Sequence, residues 1–411
     1  MHEGLNRLSQ HRDGLQLAAI RSTMPPVTGK RAVLLCAAAM VFATVIGCDG
    51  QASDSSSRQT AAASTAAAPT SAADLTRVGP EIAERIRSYV DPAKNAIFRP
   101  IRAVIIEVDG VTVLEHYYRG SSSDTSNVFS VTKSFVGTLI GIALADGSLR
   151  SVDQTLDELL PAYAAEMEPE EAAITLRQLL TMTAGLPEEL GRDLPGWMLT
   201  DDWVRSILAE PLDRLPGETF AYSNASSHLL SAILTEATGM SVLDYARARL
   251  FDPLGITSRP APDLLFTVEE NALVYEQADF AWPHDPQGVS TGFSFLKLTA
   301  NDMAAFGRLY LDDGRWNGQQ VVPMAWVDAA TTEQVQVDNA TEGYGYQWWV
   351  TTAGGHAAYA AEGYGGQLIE VVPDLRLVAV FSTELTETDA AVDEHAYISI
   401  LSQIIDQVEN E

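Results

Sequence analysis

The sequence is poor in positive charge, poorer still in lysine, and almost without cysteine. Lysine and arginine number 26 against 55 acids, giving a net charge of −29 and a pI near 4.4. So acidic a chain lacks the basic surface that a phosphate backbone requires, which excludes nucleic acid as a partner. It also gives the folded surface no general attraction for anionic lipid heads. The 2 cysteines are Cys36 and Cys48, so everything beyond residue 48 is free of thiol. That excludes disulfides, cysteine nucleophiles and thiolate metal sites from the folded part. Among the 7 histidines, His228, His284 and His356 stand apart without metal-ligand spacing, and no His-Glu-x-x-His occurs. No metal and no cofactor is expected.

What is present begins with a targeting segment. Lys30 and Arg31 precede an apolar run over 32–47 that ends at Val45-Ile46-Gly47-Cys48. A positive start and an apolar stretch short of a comfortable membrane span read as an export signal. The last four residues resemble a bacterial lipobox, in which Cys48 would carry lipid. Residues 1–48 are therefore expected to be a lipoprotein signal with its start at Met24, and 49–76, rich in Ser, Ala and Thr, a flexible tether. The folded domain would be 77–411, outside the cytoplasm and facing the periplasm or cell exterior. It would touch membrane only through the N-terminal lipid, as a monomer or dimer.

At 46% hydrophobic and 20% charged residues, the chain suits a globular fold of one large or two modest domains. Apolar stretches at 101–108 and 111–118 flank Asp109-Gly110, a strong hairpin signal. A second pair at 366–372 and 375–381 flanks Pro373-Asp374. Short helices are expected over 82–90 and 389–408. Between these ends the pattern is helical, at 131–144, 176–182, 202–208, 225–238, 242–250 and 301–312. The expected fold is α+β: one antiparallel sheet flanked by terminal helices, with a mostly helical subdomain, about 129–340, inserted.

The chemistry concentrates in three stretches. Ser130-Val131-Thr132-Lys133 opens a helix apolar all round, hence buried, that stops at Gly147. Three residues apart, Ser130 and Lys133 share a face. A serine hydroxyl needs a base, and a lysine becomes one when burial and nearby positive charge lower its pKa. The pattern is short, and a chain this long holds about one copy by chance. Ser294 and Lys297 make a second copy, but in an extended segment they would point to opposite faces.

Tyr222-Ser223-Asn224 lies at the entrance of the 225–238 helix. There a phenol near an ammonium can act as acid or base, and Asn224 offers a donor and an acceptor to a bound amide or ester. Tyr222 as core filler and Asn224 as helix cap remains open on these residues alone. Glu362-Gly363-Tyr364-Gly365-Gly366-Gln367 supplies glycines that let a backbone approach another group closely, as backbone oxyanion donors require.

In this order the three stretches resemble the serine β-lactamase/penicillin-recognising superfamily. The likeness is to its class C branch and that branch's carboxylesterase, D-aminopeptidase and 6-aminohexanoate-dimer hydrolase relatives. It runs from about residue 97 to 405 and takes in Leu176–Leu180 with the following Thr181-Met182-Thr183, Phe251-Asp252-Pro253-Leu254-Gly255, and Tyr344-Gly345-Tyr346-Gln347-Trp348-Trp349. The resemblance implies Ser130 as acylated nucleophile, Lys133 with Tyr222 as proton-transfer pair, and the backbone N–H groups of Ser130 and Tyr364 as oxyanion hole. Asn224, Gly363 and Trp348 would contact the substrate, a small ester, amide or short peptide-like molecule.

One departure stands out. Where the β-lactamase branch has Lys-Thr-Gly, this chain has Ala361-Glu362-Gly363, so the cation for a substrate carboxylate is missing. That weighs against β-lactamase and D-Ala peptidase activity and towards an esterase or amidase. The remaining alternative is a non-catalytic lipoprotein that binds peptidoglycan fragments. Gly288-Val289-Ser290-Thr291-Gly292 matches the Gly-x-Ser-x-Gly elbow, but two prolines and no strand precede it, so it is expected to be a loop.

Overall fold

The Asp109-Gly110 turn does what its composition demands. Both residues take positive φ, 49° and 74°, and join β1 (Ile101–Val108) to β2 (Val111–Tyr117) as an antiparallel hairpin. The computed structural model describes residues 72–189, 195–267, 269–337, 342–385 and 394–409. The expected signal, most of the tether and Cys48 lie outside the described residues.

Six further strands complete one antiparallel sheet: β3 (Val335–Gln336), β4 (Gly343–Tyr344), β5 (Trp349–Ala353), β6 (His356–Gly363), β7 (Gln367–Val372) and β8 (Leu377–Thr383). Their spatial order is β2-β1-β8-β7-β6-β5-β4-β3. The N- and C-terminal strands meet where β1 pairs with β8, with Val104 facing Phe381 and Ile106 facing Ala379. β1, β7 and β8 are buried along their whole length, because both sheet faces are covered.

Alternation sorts the strand residues onto two cores. Ile105, Ile369, Val371, Val378 and Val380 face α2 (Val131–Asp146) and α4 (Ala300–Leu311). Val104, Ile106, Leu368, Ala379 and Phe381 face α1 (Ala72–Tyr89) and α5 (Glu394–Glu409), where Tyr397 stacks on Phe381. Between β2 and β3 lie α2, α3 (Asn224–Thr238), α4 and several shorter helices, with α2 packed on α3.

The expected elements fall within a residue or two, with two differences. The N-terminal helix is longer than 82–90, reaching back to Ala72. The 242–250 helix is Val242–Ala246 followed by a π-turn at Arg247–Phe251. The C-terminal helix is described over Glu394–Glu409, and its expected start near 389 lies outside the described residues. Residues 288–292 form a loop with neither the strand before nor the helix after that an elbow needs. Among the described residues no helix is long and apolar enough to cross a membrane.

Candidate active site

α2 is buried from Val131 to Ala143 and ends at Gly147, whose φ of 84° only glycine adopts freely. Its first residue follows Ser130, and the Ser130 side chain makes no capping bond. The hydroxyl is thus not committed to the helix. The residue before it, Phe129, is held at φ 47°, with its N–H donating to Asn127 Oδ1 at 2.9 Å. A non-glycine in that region costs about 1–3 kcal/mol and persists only where its surroundings enforce it. Met182, Phe295 and Gln347 share the feature.

Gln347 ties the surrounding helices together. Its side-chain nitrogen donates to the carbonyls of Leu179 and Leu180, its Oε1 accepts from Ser227 Oγ, and its carbonyl accepts from Ser134 Oγ. One residue thereby fixes α2 and α3 against the Leu176–Leu180 helix.

Lys133 is 2% exposed. Its ammonium nitrogen lies 3.4 Å from Ser130 Oγ, 2.7 Å from Asn224 Oδ1 and 3.1 Å from the Phe293 carbonyl oxygen. It also stands 4.9 Å from the centre of the Tyr222 ring. Burial pushes its pKa down to about 7. Among the described residues, no nearby positive charge of the kind expected from the sequence contributes. The charge acting on Lys133 is the Glu189 carboxylate, which works in the opposite direction.

Tyr222 is buried, its ring stacked on Trp349 with centroids 6.0 Å apart. Ser223, not Asn224, caps α3, accepting from the Ser226 N–H. The acceptor of Asn224, expected to meet substrate, is occupied by Lys133.

At the end of β6, Gly363 permits a close approach. A methyl group there would stand 2.3 Å from the Val128 carbonyl oxygen and 3.2 Å from the Ser130 nitrogen. Tyr364 follows in the β6–β7 turn, its ring edge-on to Phe129 with centroids 5.7 Å apart. The strand end therefore lies against the N-terminus of α2, where Ser130 sits.

Trp348 is a correction. It is fully buried, stacked on Phe306 and packed on Tyr310 and Tyr359, so it belongs to the core. Trp349, half-buried, packs on Tyr222, Tyr344 and Phe220 and is the tryptophan at the site.

Glu189 went unnoticed in the sequence. It is buried, accepts from Trp197 Nε1 at 2.8 Å, and accepts from the backbone N–H groups of Asn224 and Ala225. An acid in a loop carries no local signal, and only the fold brings it to α3.

Of the other histidines, His228 is buried against Asp285 at 3.0 Å, and His284 pairs with Asp263 at the surface. Among the described residues no group of His, Cys, Asp and Glu is arranged to hold a metal ion.

A family model described as Beta-lactamase matches residues 93–402. Penicillin-binding protein 4 of Amycolatopsis lactamdurans is 27% identical over 311 residues, 69% of this chain and 80% of that protein. Protein flp of Staphylococcus aureus is matched over 161 residues, only 32% of its own length. Among solved structures, a candidate 6-aminohexanoate-dimer hydrolase from Bacillus anthracis superposes with TM-score 0.59 at 20% identity, covering 77% of this chain and 82% of that one. EstCE1, a hydrolase with promiscuous acyltransferase activity, does so with TM-score 0.62 at 17% identity, covering 81% and 99%.

Proposed function

Given that the chain belongs to the beta-lactamase family, whose members are serine hydrolases, we propose that it cleaves ester or amide bonds through an acyl-enzyme on Ser130. The observation that carries this reading is a buried Lys133 amine, held near neutral pKa, 3.4 Å from a serine hydroxyl that caps nothing. Ser130 Oγ attacks the carbonyl carbon while its proton passes to the Lys133/Tyr222 pair. The oxyanion rests on the backbone N–H groups of Ser130 and Tyr364. The pair returns the proton to the leaving group, and water then releases the acyl group.

The lysines argue against a β-lactam or D-Ala-ended substrate. Lys94 pairs with Asp91 on the surface, and Lys297 is committed to three backbone carbonyls. Among the described residues, no lysine other than Lys133 is left to meet a substrate carboxylate. Ala361 stands where the β-lactamase branch has its lysine. A charged hydrogen bond lost there is worth about 1.5–3 kcal/mol.

Burst kinetics with a p-nitrophenyl ester beside nitrocefin tests the proposal. An ester burst that disappears in Ser130→Ala, with nitrocefin inert, supports it. Rapid nitrocefin turnover returns the β-lactamase reading, and silence on both favours a binding protein. We also propose that Cys48 is lipidated and tethers the enzyme outside the cytoplasm. Release of a Cys48→Ala protein from the membrane fraction is the expected outcome, and unchanged retention would refute it.

A further inference from the structure

We propose that Glu189 is a positioning residue for this reaction: it holds the Tyr222-Ser223-Asn224 segment at Lys133 and serves as the counter-charge when Lys133 carries the serine proton. The inference rests on the assignment of Ser130 and Lys133 above. Three contacts define it. The Glu189 backbone N–H donates to the Tyr222 carbonyl at 3.2 Å, on one side of Ser223. On the other side its Oε2 accepts from the Asn224 and Ala225 N–H groups at 2.5 and 3.1 Å. Its Oε1 takes the Trp197 indole N–H.

A single residue thus grips the segment before and after its middle. Asn224, so fixed, reaches Lys133 Nζ at 2.7 Å. The carboxylate also sits where the first N–H groups of α3 point, an arrangement that favours negative charge. Burial holds the Glu189 pKa above the usual carboxylate value, and these hydrogen bonds and Lys133 offset part of that rise.

The chemistry needs such a group. Neutral Lys133 accepts the proton as Ser130 Oγ bonds to carbon, so an ammonium appears in a buried site. A fixed carboxylate stabilises that ammonium and keeps the amine basic enough to act. The other titratable groups nearby are Tyr222, with Tyr344 and Glu362 towards the sheet, the His228–Asp285 pair behind Trp197, and the Arg214–Glu188 pair beside the loop. Among the described residues, the charge that acts on Lys133 is that of Glu189.

The test reads Lys133 directly. The chain has four lysines, Lys30, Lys94, Lys133 and Lys297, so lysine labelled with carbon-13 at Cε gives few resonances. The Lys133→Met protein identifies the one that matters. In Glu189→Gln the Lys133 titration is expected to fall by about one pH unit. The acid limb of kcat/KM should move down by the same amount, with kcat about tenfold lower and KM within about threefold.

A structural role alone would lower kcat and leave the titration where it is, and that result overturns the proposal. If the glutamine protein does not fold, Glu189→Asp draws the charge back by one methylene. It should move the titration in the same direction by less, and an unmoved titration again overturns the proposal. The resonance is read whether or not anything is hydrolysed. Absence of an ester burst in the unaltered protein therefore counts against the assigned function, and an unmoved titration beside a normal burst counts against Glu189.

Discussion

Two segments of this chain read Ser-x-x-Lys, and the fold gives them opposite uses. Ser130 and Lys133 lie on the first turn of a buried helix, where a spacing of three puts both on one face and brings Nζ to 3.4 Å from Oγ. Ser294 and Lys297 lie in a non-helical stretch running into the short strand Lys297–Leu298. Lys297 turns away from its serine and donates to the carbonyls of Tyr275, Glu276 and Ala278, closing the C-terminus of the Asn271–Gln277 helix. Both lysines are largely buried and burial lowers the pKa of both. Burial alone therefore does not make a base. The backbone geometry that sets a hydroxyl beside the amine does.

The contrast is broken most directly at the serines. Ser130→Ala is expected to cut turnover by about 10⁴-fold or more with the fold intact, since the nucleophile has no substitute. Near-native turnover, measured with single-turnover ester kinetics, would end the assignment. At the lysines the two sites should diverge in stability as well. Lys133→Met should lose about 10²–10⁴ in kcat, the range for a missing general base. Its stability should change less than that of Lys297→Met, because relief of a desolvated amine offsets the donor lost to Asn224 Oδ1 and the Phe293 carbonyl. Lys297→Met should keep its activity within about threefold while losing roughly 2–3 kcal/mol of stability, as three carbonyls lose their donor. Urea titration of both proteins checks the difference.

The pH dependence sharpens the same difference. Lys133 titrates near 7 in the folded chain and near 10.4 when unfolded. Between those values the unfolded state holds a proton that the folded state lacks, so stability rises with pH. Below 7 both states are protonated and the penalty is constant. The stability of the unaltered protein relative to Lys133→Met should therefore increase by roughly 1.4 kcal/mol per unit between pH 7 and 10. A flat difference would mean that the amine is not desolvated. Activity should follow the neutral amine, falling about tenfold per unit below pH 7.

What could be read from residues alone was whatever local sequence controls. The hairpin at Asp109-Gly110, the stop of α2 at Gly147 and the shared face of Ser130 and Lys133 depend on neighbours within a few positions. The two tryptophans show the limit. A shift of one residue at the start of a strand exchanges the buried face for the other. Trp349 is the first residue of β5 and lies at Tyr222, while Trp348 just before it packs into the core. No composition signal sets that boundary. Glu189 and Gln347 were hidden for a related reason, since their partners on α3 are 35 and 120 positions away and each looks like an ordinary polar residue in its own segment.

The smallest effect belongs to Ser294, and it is the one that separates motif from site most cleanly. Among the described residues its buried hydroxyl oxygen has no hydrogen-bond partner, whereas its backbone carbonyl accepts from Thr291 Oγ1 at 2.7 Å. Removing an unsatisfied buried hydroxyl relieves a desolvation cost and leaves a cavity of only one atom. Ser294→Ala should therefore be neutral or more stable by up to about 1 kcal/mol, with ester kinetics unchanged. Loss of the ester burst in this variant would show that the second Ser-x-x-Lys takes part in the chemistry. A marked loss of stability would show that the hydroxyl has a partner in solution, such as an ordered water.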